Sequence, residues 1–243
     1  DLNPFIYFLD SLSYRRGNPF LLPQFTHNIE VSHSFKNKLI TTLNYSSTND
    51  VISQILKPDG DLVYLTSDNV SRFRNIGIAI TAPVPVTKWW TSNIFFNLFN
   101  NLYDGTYEGR PLRIDYTSFM VNMTQTFTLK PGLSLELTGF YRARGVDQLS
   151  IDEPMYVLSA GAQKQVMKGK GTLRLNLRDP FWIQRYQGNT NYDVVSTSVK
   201  NRWDNRQLTA SFTYRFGKIN NAGPQRKRNS ASQDEQNRVG QGN

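Results

Sequence analysis

The chain contains no cysteine, which excludes disulfide scaffolds, thiolate metal sites and cysteine nucleophiles. Histidine is nearly as scarce, with His27 and His33 the two present in 243 residues. No apolar run approaches the roughly 18 residues that a helical membrane span needs. Asp1 is followed by no charged-then-apolar leader, so no signal peptide is read either. Charged residues make up 19% of the chain, below the roughly 25% of ordinary soluble domains. These absences leave a soluble domain, a mature barrel or a fragment, and they suggest that something other than water meets part of the surface.

What is present is aromatic and polar. Phe, Tyr and Trp account for 13% of the residues, and the net charge is +9. A third of that excess sits in residues 217–243, where Lys218, Arg226, Lys227, Arg228 and Arg238 outnumber Asp234 and Glu235. The same stretch is rich in Asn, Gln, Ser and Gly and has no aromatic residue, the composition of a disordered segment. We therefore divide the chain into a folded part over 1–218 and a disordered polar tail over 219–243. The run Gln225-Arg226-Lys227-Arg228 lacks stacking aromatics, and no nucleic-acid partner is expected from it.

From residue 24 to 216 the dominant signal is period-two alternation, the pattern of strands with one oily face. Phe25, Ile29, Val31 and Phe35 alternate with Thr26, Asn28, Glu30 and Ser32. Leu39, Leu43 and Tyr45 follow, then Ile76, Ile78 and Ile80. Trp90, Ile94, Phe96 and Leu98 are opposed by Asn93 and Asn97, although Phe95 and Phe99 share the polar parity. Phe119, Val121, Met123, Phe127 and Leu129 alternate with Asn122 and a series of Ser and Thr. Leu133, Leu135, Leu137 and Tyr141 face away from Ser134, Glu136, Thr138 and Arg142. Tyr156, Leu158, Ala160 and Ala162 form the next stripe, and Leu173, Leu175 and Leu177 are interleaved with Arg174, Asn176 and Arg178. The last strand sets Leu208, Ala210, Phe212, Tyr214 and Phe216 against Gln207, Thr209, Ser211, Thr213 and Arg215. Residues 2–9 carry Pro4 without clean alternation and read as a loop in preference to a tenth strand.

Connection lengths sort in a second pattern. The turns at 36–38, 83–88, 130–132 and 168–171 are short, whereas 56–69, 104–113, 145–154 and 179–193 are long, and the two kinds alternate. Short turns at one end of an antiparallel meander and long loops at the other are the layout of an outer-membrane β-barrel. Strands of about ten residues suit a tilted crossing of the hydrocarbon layer. The fold class expected is all-β, an antiparallel up-and-down transmembrane β-barrel segment of nine or ten strands.

In a membrane barrel the oily face points outward. The opposite face carries Glu30, Asn93, Asn97, Glu136, Arg142, Arg174, Asn176, Arg178 and Arg215, candidate lumenal contacts for a solute or a plug. Pairing of these arginines with glutamates on neighbouring strands is the equally simple alternative. Phe35, Trp89, Trp90 and Phe127 lie beside short turns, and Tyr45, Tyr103, Tyr116, Tyr141 and Tyr156 toward long loops, as interfacial girdles would. His27 and His33 are six residues apart on one strand, about 20 Å, too far to share a metal. No metal, cofactor or catalytic grouping is expected. Carboxylates at Asp59 and Asp61, Asp104 and Glu108, and Asp152 and Glu153 read as solvated loop charge.

Several stretches carry a family resemblance: Asp1-Leu2-Asn3-Pro4-Phe5, Tyr14-Arg15-Arg16-Gly17-Asn18-Pro19, Leu22-Pro23-Gln24, Gly139-Phe140-Tyr141-Arg142, the turn Lys168-Gly169-Lys170-Gly171, and Phe212-Thr213-Tyr214-Arg215-Phe216-Gly217-Lys218. Together they resemble the C-terminal barrel portion of TonB-dependent receptors of the outer-membrane-protein β-barrel family. The resemblance implies a barrel of about 22 strands around a plug, of which this chain supplies the last nine or so, with Phe212, Tyr214 and Phe216 on the C-terminal barrel strand. It further implies a Gram-negative outer-membrane location, lipid around the barrel, a plug and remaining barrel outside this sequence, an inner-membrane energy-transducing complex acting through that plug, and uptake of a small ligand without catalysis. Two other readings fit the pattern: a self-contained small porin, whose first strand pairs with Leu208–Phe216, and a soluble extracellular β-sandwich that binds glycans and buries Phe119, Val121, Met123 and Leu135.

Overall fold

The computed structural model describes residues 2–36, 38–107, 109–192 and 195–216. Its elements in chain order are β1 (Ile6–Phe8), β2 (Ser13–Arg16), β3 (Phe25–Phe35), β4 (Leu39–Asp59), β5 (Leu62–Pro85), β6 (Trp90–Tyr107), β7 (Arg110–Lys130), β8 (Leu133–Arg142), β9 (Gly145–Asp147), β10 (Ser150–Asp152), β11 (Met155–Val166), a single 3-10 turn (Met167–Gly169), β12 (Gly171–Arg178), β13 (Tyr186–Tyr192), β14 (Val195–Asn201) and β15 (Gln207–Tyr214). Nine of these, β3 to β8, β11, β12 and β15, run as one antiparallel meander. They are the nine stripes that alternation marks. β1 falls within residues 2–9, expected as a loop, and forms a hairpin with β2, which lies parallel to the outer part of β5 through Ser13 opposite Val63.

Register carries each oily stripe across the sheet. Val31, Leu43, Ile78, Leu98 and Phe119 form one continuous row, and Ile80, Phe96, Val121, Tyr141 and Tyr156 the next. A one-residue slip of any strand would put its whole stripe on the wrong face. This face is uncovered: Phe119 is 36% exposed, Leu135 38% and Met123 42%. That exposure overturns the β-sandwich reading, which requires a dry centre between these side chains. The buried apolar cluster lies elsewhere, at Ile55, Val70, Leu112 and Leu149 with Ile114 against it.

The long connections differ from expectation in an instructive way. Segments 56–69 and 104–113 are continuations of the strands, so that β4, β5, β6 and β7 have 21, 24, 18 and 21 residues. β4 and β5 meet in a tight turn at Gly60 and Asp61, with Gly60 at φ +60°. Beyond the bilayer neither face of a hairpin has to be oily, so alternation fades while the backbone ladder continues. The connections 143–154 and 179–206 contain the other strands, joined as a four-stranded sheet in the order β14-β13-β10-β9.

On β7 the apolar stripe extends from Phe119 to Leu129, about 33 Å along the strand and about 25 Å at the usual barrel tilt, the height of a hydrocarbon band. The same face then turns polar at Asn100, which donates to Asp115 Oδ1 at 2.8 Å and to Thr117 Oγ1 at 3.0 Å. Trp89, Trp90 and Phe127 cluster at the short-turn limit with ring centroids 5.8–6.4 Å apart, and Phe35 stands exposed at the end of β3. Tyr141 and Tyr156 face each other at the opposite limit, where Phe119 and Tyr141 are 5.7 Å apart. Tyr103 and Tyr116 do not join this girdle. Register puts them on the polar face, because Tyr116 pairs with Asn101 and Tyr103 lies two residues further along.

The sheet is open. Among the described residues β3 pairs with β4 alone and β15 with β12 alone. Both edge strands run from the long-connection end toward the short-turn end, as an odd-numbered meander demands. The pairing between the first strand and Leu208–Phe216 that a small porin needs is absent among the described residues, and it would be parallel if made. Contacts divide the chain into Asp1–Thr213 and Tyr214–Asn243. Of the second unit Tyr214, Arg215 and Phe216 are described, with the Tyr214 and Phe216 rings edge to face at 4.6 Å. Arg215 and Phe216 fall beyond β15, which ends at Tyr214. The tail expected at 219–243 lies outside the described residues.

Close packing of the extended hairpins yields a first prediction. A Cβ added to Gly105 would stand 2.3 Å from the Val70 carbonyl oxygen and 2.6 Å from Ser71 Cα, both backbone. Gly105→Ala must therefore separate β5 from β6, at a cost of about 3 kcal/mol. Denaturant unfolding in detergent micelles checks this, and an unchanged midpoint would contradict the close approach.

Candidate functional site

The polar face begins, at the short-turn end, with Ser, Thr and amide side chains and becomes a built network further out. Asn44 on β4, Asn75 on β5 and Asn101 on β6 occupy successive strands. Asn44 Nδ2 donates to Asn75 Oδ1 at 2.5 Å, Asn75 Nδ2 to Asn101 Oδ1 at 2.6 Å, and Asn101 Nδ2 to the Val146 carbonyl at 3.1 Å. The ladder thus ends on β9, and it fastens that loop strand to the inner wall.

Other contacts hold the same hairpin. The Gln148 amide donates to Tyr103 Oη at 2.9 Å, and the Gln54 amide to Gln148 Oε1 at 3.2 Å. Val146 and Leu149 are buried, Leu149 within the Ile55 cluster. Burial pushes the Tyr103 hydroxyl up to about 12, so it stays a neutral hydrogen-bonding group at any physiological pH. The β9–β10 hairpin is consequently folded onto the polar face and does not stand off in solvent.

Arg142, at the end of β8, meets Asp152 of β10 with Nη2 to Oδ2 at 2.5 Å, and Asp152 is 2% exposed. Asp152 also accepts from Tyr186 Oη at 2.9 Å and from Ser150 Oγ at 3.3 Å. The Tyr186 hydroxyl is raised above its ordinary range, first by burial and then by its bond to Asp152. Arg144 and Glu153 add a weaker pair at 3.4 Å. This cluster joins the four-stranded loop sheet to the barrel wall and is a positioning device.

A second feature lies toward the short turns. Glu136 of β8 and Asn176 of β12 flank Gly161 of β11 in register. A Cβ on Gly161 would approach Asn176 Oδ1 to 3.0 Å, so glycine leaves a hollow there. Ser134, Glu136, Gln163, Arg174, Asn176 and Thr209 line a groove of about 390 Å³, with Arg174 Nε donating to Gln163 Oε1 at 2.7 Å. Its carboxylate, guanidinium, amides and hydroxyls suit a polar solute or a polar protein surface.

Of the lumenal residues expected from sequence, the groove brings together Glu136, Arg174 and Asn176. Arg142 is drawn into the loop latch. Asn93 and Asn97 sit on β6, Glu30 on the exposed edge strand β3 and Arg178 at the outer end of β12. Among the described residues the cross-strand arginine–glutamate pairs do not form: the partners are Asp152 for Arg142 and Gln163 for Arg174. His27 and His33 point from β3 at different levels, and among the described residues no three His, Asp or Glu gather as a metal site. Sequence reading missed Asn44, Asn75 and Asn101 as a unit. Each has the polar parity of its strand, but their alignment depends on register between strands up to 31 residues apart.

The match of the outer membrane protein beta-barrel family covers residues 1–214. No curated protein and no solved structure matches the chain. With an outward apolar band between aromatic girdles, an inward polar wall and this match over the whole sheet, the chain belongs to the outer membrane protein beta-barrel family.

Proposed function

We propose that this chain forms the C-terminal part of a TonB-dependent receptor barrel in a Gram-negative outer membrane. It takes up a ligand too large for porins, without catalysis, and its lumen is occupied by a plug that an inner-membrane complex moves. The observation that carries the reading is the open nine-strand meander whose two edge strands run the same way. Bacterial single-chain barrels are antiparallel and even-numbered, so closure calls for an odd number of further strands. An open edge left in hydrocarbon would strand its backbone groups at several kcal/mol each. The polar wall, with the Glu136–Arg174–Asn176 groove, supports a lumen that receives a folded polar domain. The hairpins that outreach the bilayer supply a surface for ligand capture.

The test is electrical. Full-length protein, including the coding sequence upstream of Asp1, should be nearly silent in planar bilayers and conduct once the plug is deleted. Steady conductance from the isolated 243-residue chain would favour the small porin and defeat the receptor reading.

A further inference from the structure

Apart from Glu136 on the polar face of β8, the short-turn half of the sheet contains no acidic residue. Asp and Glu are absent from 31–49, 76–99, 116–135 and 158–178. Lysine is concentrated there instead: Lys36, Lys38 and Lys88 at the first two short turns, Lys130 at the third, and Lys164, Lys168 and Lys170 at the fourth. All are exposed, and none has an ion-pair partner among the described residues. Acidic residues gather at the opposite end, so the molecule is electrically polarised along the membrane normal.

Beside the fourth turn the apolar face is carved. Ala162 and Ala210 leave a groove of about 410 Å³ among Leu133, Leu173, Leu175 and Phe212. On the same face Lys164 stands between Leu133 and Leu173 in register, at the groove's short-turn end. An oily channel closed by a cation at the interface is complementary to an acyl chain carrying an anionic head group. The leaflet beside the short turns is the periplasmic one.

We propose that this groove is a binding site for an anionic glycerophospholipid of that leaflet. One acyl chain lies along Leu133, Ala162, Leu173, Leu175, Ala210 and Phe212, and the phosphate is held by Lys164 with Lys168 and Lys170. The inference rests on membrane insertion of the barrel but not on the receptor reading, since a lipid would seat there whatever the lumen transports.

The experiment uses full-length protein in neutral detergent, titrated with phosphatidylglycerol or phosphatidylcholine of identical chains and read by native mass spectrometry of lipid adducts. Phosphatidylglycerol should be retained preferentially. Replacing the three lysines by glutamine, Lys164→Gln, Lys168→Gln and Lys170→Gln together, should weaken it by roughly a hundredfold at low salt, taking about fivefold for each lysine near an anionic head group. Ala162→Phe fills the groove on the lipid-facing side, where no internal packing is disturbed, and should weaken both lipids alike. Heat-modifiable migration verifies folding of each variant. Equal retention of the two lipids, or no loss on removing the lysines, overturns the proposal and leaves the lysine rim as a contact for an acidic protein. Equal competition by dihexanoyl phosphatidylglycerol also overturns it, because a head group alone would then suffice.

Discussion

Leu137→Lys should cost the inserted barrel about 2–4 kcal/mol, the penalty for a lysine facing lipid near the bilayer midplane. Leu137 lies mid-strand on β8, 51% exposed, between Gln125 of β7 and Ala160 of β11. In a soluble fold with this face in its core the same change would unfold the protein in water. Here the effect appears as impaired insertion into vesicles and a lower unfolding midpoint in bilayers, while the neighbouring polar-face change Glu136→Gln has little effect on either. Equal effects of the two substitutions would contradict the assignment of faces.

Arg142→Leu should release the loop sheet from the wall. Asp152 is 2% exposed, while the Arg142 side chain is 26% exposed, so removing the guanidinium strands a carboxylate that burial keeps from water. Breaking such a pair typically costs 3–5 kcal/mol. The partial exposure of Arg142 puts the expectation near the lower limit, about 3 kcal/mol. Because the sheet strands do not depend on this pair, the loss is local. Amide exchange across 145–153 should accelerate by about two orders of magnitude, whereas β7 and β8 keep their protection. The double variant Arg142→Leu with Asp152→Leu should recover part of the loss, since no charge is then left buried. Unchanged exchange across β9 and β10 in the single variant would show that the Asn44–Asn75–Asn101 ladder and the Leu149 cluster hold the hairpin without the ion pair.

These two experiments probe different parts of what a chain of this kind encodes. Leu137 was legible because a membrane barrel obliges every crossing strand to alternate, and that obligation is written locally, residue by residue. The short turns were legible for the same reason: Pro131-Gly132 and Lys168-Gly169-Lys170-Gly171 interrupt the alternation where strands leave the lipid. Asp152 was not. Read along the chain it is one of two adjacent acids in a connection, and nothing near it signals burial. Its environment is made by Arg142, ten residues back, and Tyr186, 34 residues on.

By itself, the sequence determined nine strands, their order, the two faces and the end at which the turns are short, because lipid on one side and water on the other impose a period that needs no knowledge of partners. Tertiary structure decided the rest. It carried β4 to β7 far beyond the bilayer, turned the β9–β10 hairpin inward and brought Glu136, Arg174 and Asn176 into one groove. Each of these depends on register between strands or on contacts across long intervals of chain, where water permits either face to be polar and the local pattern consequently falls silent.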